Sequence, residues 1–545
     1  MIKAVEMAKK QRDISVAEFF EKNRHLLGFD NPRKALLTTI KEAVDNALDA
    51  CEEAEILPEI EVQIVRMSEG RYRIIIGDNG PGIVKKQIPP IFGKLLYGSK
   101  FHQLKQQRGQ QGIGISAAAL YAQLTTGHGI KVISRIHESE PAHYYLIKID
   151  SRKNKPEIKD EQIVEWSKPN GTVIELDIEA DYKKGDTSVD EYLKQTAIIN
   201  PHATLIYTNP DLKQEVYVRA TDKKPAQPKG IKPHPYGVEL GRFMNMMKWT
   251  EYKTMKLFLM KEFSRVGPTT ADKILAGAAL LNKTKPKNVT REQSSKLIDS
   301  IKNTSIISPP TDCISPIGEE LIVKGLQKEV KADFYTSVSR PPSVYRGNPF
   351  VIECGIAYGG ELDADGAVKI MRFANRVPLL YQKGSCASTD SIIKINWKSY
   401  HLRQSRGSKP YGPLVILVHM ASVWVPFTSE AKEAIAHYPE IVKEIKLALQ
   451  ECGRKLGIYL SRKAKAKKEL KKFEYLKKYV PHVAEALQEL IELTDHDKEN
   501  IEKALVEVLE DGRSFTEVTR GVKEDLPDDL VEAETHDELP NQESI

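Results

Sequence analysis

Glu42-Ala43-Val44-Asp45-Asn46, with Asp78-Asn79-Gly80-Pro81-Gly82 and Gly109-Gln110-Gln111-Gly112-Ile113-Gly114 behind it, decides how this chain folds. The first segment sits inside 33–54, where Leu36, Leu37, Ile40, Val44, Ala47 and Leu48 recur at helical spacing. Asn31-Pro32 opens that helix and Pro58 ends the region. Glu42 and Asn46, at i and i+4, project together from the side away from the apolar stripe. Read alone, they are the solvated face of an amphipathic helix. Asp78 follows the strand Arg73-Ile74-Ile75-Ile76-Gly77, and the glycines behind it let the backbone approach a flat ligand. Read alone, Asp-Asn-Gly is a hairpin turn. The third segment, a G-x-x-G-x-G pattern, leads into a helix at Ile115-Ser116-Ala117-Ala118. Glycines there free backbone N–H groups, and the helix dipole attracts phosphate. It is not a dinucleotide fingerprint, lacking the βαβ pattern with a following acid. It is not a Walker A loop either, because no Gly-Lys-Ser/Thr follows. Asn170-Gly171-Thr172 adds a hydroxyl, or else a plain turn, before another strand. Taken together the segments offer a carboxylate and an amide one helical turn apart, an Asp on a glycine turn and backbone N–H groups at a helix start, parts that suit one nucleotide site.

The surrounding chain bounds the answer. Its 545 residues exceed one hydrophobic core, so about three to four domains are expected. The hydrophobic content of 41% and charged content of 29% are those of a globular protein. No apolar run reaches transmembrane length, and the start, Met1-Ile2-Lys3-Ala4-Val5-Glu6, does not read as a signal peptide. The five cysteines, 51, 313, 354, 386 and 452, form no Cys-x-x-Cys pair. Neither a zinc site nor a disulfide framework is expected, and a reducing cytoplasm is. Net charge is +6, but residues 524–545 hold nine acids and no Lys or Arg, leaving +15 on the rest. A basic body fits a polyanionic partner or ordinary solubility.

Along the chain, residues 14–27 read as a short helix and 60–66, 72–77, 130–136, 143–149 and 172–178 as strands, with a helix at 115–124. The Pro/Lys-rich run Lys223–Gly230 reads as a linker. The expected domains are 1–228, a helical 229–308 with a helix capped at Gly267-Pro268-Thr269-Thr270, and a β-rich 309–460. A long helix is expected from near Ser429 toward Tyr479. Its 462–478 stretch, with nine Lys/Arg against two Glu, is either a contact for DNA or an acidic partner, or a solvated face. It belongs to a basic helical extension, 461–512, followed by an acidic, disordered tail at 513–545.

The order and spacing of the motifs resemble the GHKL ATPases. Further segments narrow the branch: Tyr97-Gly98-Ser99-Lys100-Phe101, Pro233-His234-Pro235-Tyr236-Gly237-Val238, the capped helix at 266–274 and Arg372–Tyr381. Over about 15–460 the chain resembles the ATP-hydrolysing B subunits of the archaeal type IIB DNA topoisomerases. The resemblance implies an α+β fold: an N-terminal GHKL (Bergerat) α/β sandwich, a helix-two-turns-helix insert, and an α/β transducer with a long C-terminal helix. It implies ATP and Mg²⁺ as cofactors, with Glu42 as base, Asn46 on the metal, Asp78 and Thr172 at adenine, and Lys432 as the switch residue on the γ-phosphate. Gly82, Ser99, Lys100, Gly109, Gln110, Gln111, Gly112, Ile113, Gly114, Ile115 and Ser116 complete the ATP contacts. Ser116 stands where relatives often carry Lys, and Lys100 is a candidate to compensate. The implied partners are the DNA-cleaving A subunit of a topoisomerase VI in an A2B2 assembly, a second copy of this chain on ATP binding through the segment before residue 28, and double-stranded DNA. A MutL-like repair ATPase and a heat-shock protein 90-like chaperone remain the rivals, and without a catalytic Glu42 a binding module.

Overall fold

A computed structural model describes Lys3, Met7 and residues 13–99, 103–109, 112–429, 432–491 and 494–511. Lys100, Gln110, Gln111 and the expected acidic tail at 513–545 lie outside the described residues. The expected helix at 14–27 is shorter: α1 (Val16–Lys22) gives way to a 3₁₀ turn at Arg24–Leu27. Gly28, at φ +83°, stops it.

The first body is an eight-stranded sheet in the order β5-β4-β3-β6-β2-β1-β7-β8. Its strands are β1 (Glu59–Ser68), β2 (Arg71–Asp78), β3 (Ile130–Arg135), β4 (Ala142–Asp150), β5 (Lys155–Val164), β6 (Gly171–Glu179), β7 (Thr204–Thr208) and β8 (Gln214–Tyr217). Every pairing is antiparallel except β1 with β7. Alternation puts Ile60, Val62 and Ile64, and across the sheet Ile74, Ile76, Ile174 and Leu176, on one buried face. Helices α2 (Pro32–Glu53), α3 (Ile88–Gly93), α4 (Gly114–Thr126) and α5 (Val189–Ile199) share the core against that face. The opposite face is largely exposed, as one-sided antiparallel sheets allow.

Helices α6 (Leu240–Trp249), α7 (Met255–Glu262), α8 (Pro268–Gly277) and α9 (Arg291–Asn303) form a separate helical unit. They close around Phe243, Phe258 and Phe263, whose rings meet at centroid distances of 5.6–5.8 Å. Beyond it, α10 (Glu319–Glu329) precedes the second sheet. Its strands are β9 (Phe334–Ser339), β10 (Ser343–Tyr345), β11 (Asn348–Tyr358), β12 (Lys369–Ala374) and β13 (Val377–Pro378). Helix α11 (Ala387–Lys394), the small ribbon β14 (Arg403–Gln404) with β15 (Pro410–Tyr411), and β16 (Leu414–Ser422) follow. The sheet order is β10-β11-β16-β12-β13, with β9 on β11. Strand β16 is buried at every position because both faces are covered. Leu321, Ile322 and Leu326 of α10 cover one face. Ile441, Ile445, Leu449 and Leu456 of α12 (Pro439–Ile491) cover the other.

Helix α12 corrects the expected start of the long helix. It begins at Pro439, not near Ser429, and runs through Pro481 to Ile491 before α13 (Asp495–Asp511). Ahead of it Phe427 bridges Ile435, and Thr428 N–H donates to the Ala434 carbonyl at 2.9 Å. This loop uses up the backbone groups that an earlier helix start needs.

The two sheets share α5. Ile198 and Ile199 on it belong to the core of the second sheet, and a Cβ built on Gly325 of α10 lies 2.0 Å from the Ile198 carbonyl oxygen. Gly325→Ala is expected to force α10 from α5 and to destabilise the chain by about 1–3 kcal/mol. Thermal unfolding against Gly384→Ala, where a Cβ meets open space, measures it; equal melting temperatures would contradict this packing.

Candidate active site

Helix α2 is set by its first turn. Asn31 caps it, accepting from Lys34 N–H at 2.9 Å, and Pro32 fills N1. The apolar stripe then fixes its rotation, and Glu42 and Asn46 face a cavity of about 750 Å³, a size that suits a nucleotide. Strand β2 delivers Asp78 to the same cavity, directly opposite Thr172 of β6. Both Gly80 N–H and Thr172 N–H donate to Asp78 Oδ1, at 2.8 and 3.2 Å. The Thr172 hydroxyl pairs with Ser134 at 3.0 Å. Asp78-Asn79-Gly80 is therefore no hairpin turn. Asn79 instead anchors the segment, accepting from Glu59 N–H at 2.9 Å and donating to the Leu57 carbonyl at 3.1 Å. Gly82 at φ +70° comes so near strand β3 that a Cβ falls 2.1 Å from the Arg135 carbonyl oxygen.

The glycine loop arrives from the other side. Gly114, the first residue of α4, packs on the Glu42 carboxylate so closely that a Cβ there lies 1.7 Å from Oε2. Gly109 stands above the Asn46 amide, its Cβ position 4.0 Å from Oδ1. Ile113 caps α4 without a side-chain hydrogen bond, and a helix N-terminus of this kind attracts an anion. Gly112, Ile113, Gly114 and Ile115 line the cavity, as do Gly82, Ser99, Gly109 and Lys432. Ser116 does not. Its side chain is buried and its hydroxyl donates to the Ile113 carbonyl at 2.9 Å, so the expected ligand contact by that side chain is corrected.

Lys432 enters from the second body, at the tip of the 427–435 loop rather than in a helix's first turn. Its φ of +54° is left-handed, a conformation uncommon outside glycine. Its neighbour Glu433 is buried and sits 2.6 Å from Lys34 Nζ of α2. Burial works against the charge on Lys34, yet Glu433 and Asp30 outweigh it and raise its pKa. The Lys34 ammonium also lies over the Tyr381 ring at 5.4 Å.

Several residues were missed in the sequence. Lys41 lines the cavity beside Glu42, with a pKa that burial lowers and the nearby Lys432 charge lowers further. Pro378, Leu379, Leu380 and Tyr381 form a wall of it from the second sheet. Asp45 is buried behind Glu42, accepts from Tyr192 at 3.0 Å, and is pushed by burial to about 7. An Asp one residue before Asn46, on the buried side of an apolar stripe, was the available signal. Asp78 rises to about 6, because burial outweighs its two backbone bonds.

An acid at a strand end, an amide and a carboxylate one helical turn apart, and a glycine loop at a helix start define an ATPase of the gyrase B and heat-shock protein 90 class. Residues 31–178 match the family model described as histidine kinase-, DNA gyrase B-, and HSP90-like ATPase, and residues 309–472 the topoisomerase VI B subunit, transducer. The B subunit of type 2 DNA topoisomerase 6 from Methanococcoides burtonii is 50% identical over 98% of this chain and 88% of its own. Its counterpart in Archaeoglobus fulgidus is 49% identical over 89% of this chain and 81% of its own. That of Natronomonas pharaonis is 35% identical over 93% and 86%. The chain belongs to the family of type 2 DNA topoisomerase 6 B subunits, ATP-dependent type II topoisomerases. The repair-ATPase and chaperone readings are thereby set aside. No helix among the described residues is long and apolar enough to cross a membrane.

Asp78→Asn keeps an oxygen for both N–H donors and removes the buried charge. An acid whose pKa is raised on folding, here from 3.8 to about 6, lowers stability as pH climbs through that window. The variant is expected to melt higher than wild type above pH 6, by on the order of 2 kcal/mol, and alike below pH 4. Melting curves of the unliganded chain across pH check this; parallel curves would contradict the burial of that charge.

Proposed function

We propose that the cavity hydrolyses ATP as the energy step of double-strand DNA passage. Asp78, with Thr172 beside it, accepts the adenine amino group. The Gly109–Gly114 loop and the N-terminus of α4 hold the phosphates through backbone N–H groups. Ser99, Lys100, Gln110 and Gln111 close over them in this reading. Glu42 orients and deprotonates the attacking water. The observation that supports this role is the packing of the Glu42 carboxylate on Gly114, the first residue of α4. Lys432 meets the γ-phosphate and links occupancy to the second sheet.

Asn46 fits a magnesium ion. Its side chain is open to the cavity, and one amide oxygen suits an ion that takes its other ligands from phosphates and water. Bound there, the ion neutralises phosphate charge. Asn46 holds it one turn from Glu42, so base and metal ligand stay in register on one rigid helix.

The proposal extends to the assembly. ATP binding brings two copies of the chain together, the segment before residue 28 crossing to the other copy. Helix α12 relays closure to the A subunit, which cuts DNA, in an A2B2 enzyme. Lysines on the inner surface contact phosphates without reading sequence. The site lies in the cytoplasm of the cell.

Relaxation of supercoiled plasmid with ATP, by this chain alone and mixed with the A subunit of a type IIB enzyme, tests the whole. Relaxation is expected only in the mixture. Glu42→Ala is expected to keep ATP binding and lose hydrolysis by about two orders of magnitude or more. Equal turnover in that variant would remove Glu42 as base. Hydrolysis without relaxation in any pairing would remove the strand-passage role.

A further inference from the structure

The segment Arg372-Phe373-Ala374-Asn375-Arg376-Val377-Pro378-Leu379-Leu380-Tyr381 forms the β12–β13 hairpin and the cavity wall after it. Its turn is unusual. Asn375 and Arg376 both lie left-handed, at φ +48° and +65°. Hairpin turns of that kind favour Gly second, yet here stands a buried Arg. Strain of this sort persists where surrounding contacts over-determine it. Asn375 Nδ2 donates to the Ser422 carbonyl at 2.9 Å and to the Gln107 carbonyl at 3.0 Å, while its Oδ1 accepts from Ser422 N–H at 2.9 Å. Arg376 N–H donates to His419 Nε2 at 3.0 Å, and the other His419 nitrogen is 2.9 Å from Glu353. Within the strand the buried Arg372 donates to the Leu379 and Tyr381 carbonyls at 2.6 and 2.8 Å, which holds the wall residues to the turn.

Gln107 lies two residues before the glycine loop, and its neighbours are held as firmly. Gln106 exchanges side-chain bonds with the Ser315 backbone, at 2.7 and 3.3 Å. The buried Arg108 forks between Asp49 and Glu52 of α2 and Asn200, at 2.6–2.8 Å. The root of the phosphate loop is thus fixed on one side to the helix that carries Glu42 and Asn46, and on the other to the second sheet.

We infer that the 372–381 hairpin is a positioning element of the ATP site, with Asn375 fixing the root of the glycine loop from the second sheet by a route that does not pass through Lys432. This rests on the cavity being the ATP site. Nucleotide on the loop is then felt by the second sheet through Gln107 and Asn375 even when the lysine is absent, and Asn375 in turn sets how well the loop holds phosphate.

Amide hydrogen exchange of the full chain, with and without a non-hydrolysable ATP analogue, tests it. In wild type, exchange is expected to slow at 112–120 and at 372–377, the part of the hairpin that does not line the cavity. Lys432→Ala should retain the slowing at 372–377. Asn375→Ala should lose it there while keeping it at 112–120, and bind the analogue about tenfold more weakly. A merely structural Asn375 would lower the melting temperature without separating the two segments. Loss at 372–377 in Lys432→Ala, or its persistence in Asn375→Ala, would overturn the inference alone. No slowing at 112–120 in wild type would overturn the nucleotide reading and the inference with it. Should Asn375→Ala not fold, the comparison of wild type with Lys432→Ala decides.

Discussion

A guanidinium shut away from water holds this molecule to its shape. Arg108 is buried, as are Asp49 and Asn200 beside it, and the Glu52 carboxylate it grips is mostly covered. Burial works against ionising Glu52, but Arg108 and His202 prevail and hold its carboxyl well below the usual range. Removing one partner of such a cluster strands a charge, at a cost of about 3–5 kcal/mol, whereas the intact cluster contributes little net stability. Its value is geometric. Helix α2, the turn after α5 and the start of the glycine loop can meet in one arrangement only, the one that satisfies all the charges. That arrangement sets Glu42 and Asn46 beneath Gly114 and Gly109.

The cavity is composite as a result. Helix α2, strands β2 and β6 and helix α4 supply its floor, and Pro378–Tyr381 and Lys432 arrive from a second sheet. Lys34 and Glu433, both lining the cavity, join the two parts at 2.6 Å. Neither sheet by itself encloses the space, so ligand in the cavity bears on both. The shared helix α5, with Ile198 and Ile199 in the second core, makes the same junction in apolar terms.

Much of this was legible in the sequence because it rests on short-range pattern. Period-two alternation located β1, β2, β3, β4 and β6, and period-3.6 recurrence located α2 with its polar pair outward. Asp78, Thr172 and the glycines could be joined because each falls at the end of an element. What was not legible depends on distant partners. The chain from near Ser429 reads as the start of a helix, but the bond from Thr428 to Ala434 and the ion pair from Glu433 to Lys34 keep Thr428, Lys432 and Glu433 outside one. Ser116 reads as a ligand to phosphate only if its hydroxyl is free, and the helix's own carbonyl takes it. Arg372 and Arg376 lie in a segment, Arg372–Tyr381, that served only to narrow the resemblance. Their burial among backbone carbonyls depends on folds of chain that no local window contains.

Helix α12 carries one more implication. It is 53 residues long, and its packing on the second sheet ends near Lys463, after Tyr459 stacks on Phe334 and Lys463 pairs with Asp333. At 1.5 Å per residue the remaining arm extends about 40 Å. A tilt of about ten degrees at the sheet, far smaller than a change of fold, carries the tip sideways by about 7 Å over such a length. Small angular errors at the nucleotide end are therefore enlarged to most of the width of a helix at the other. The stiffness of the root, not that of the arm, sets the precision of whatever the arm moves.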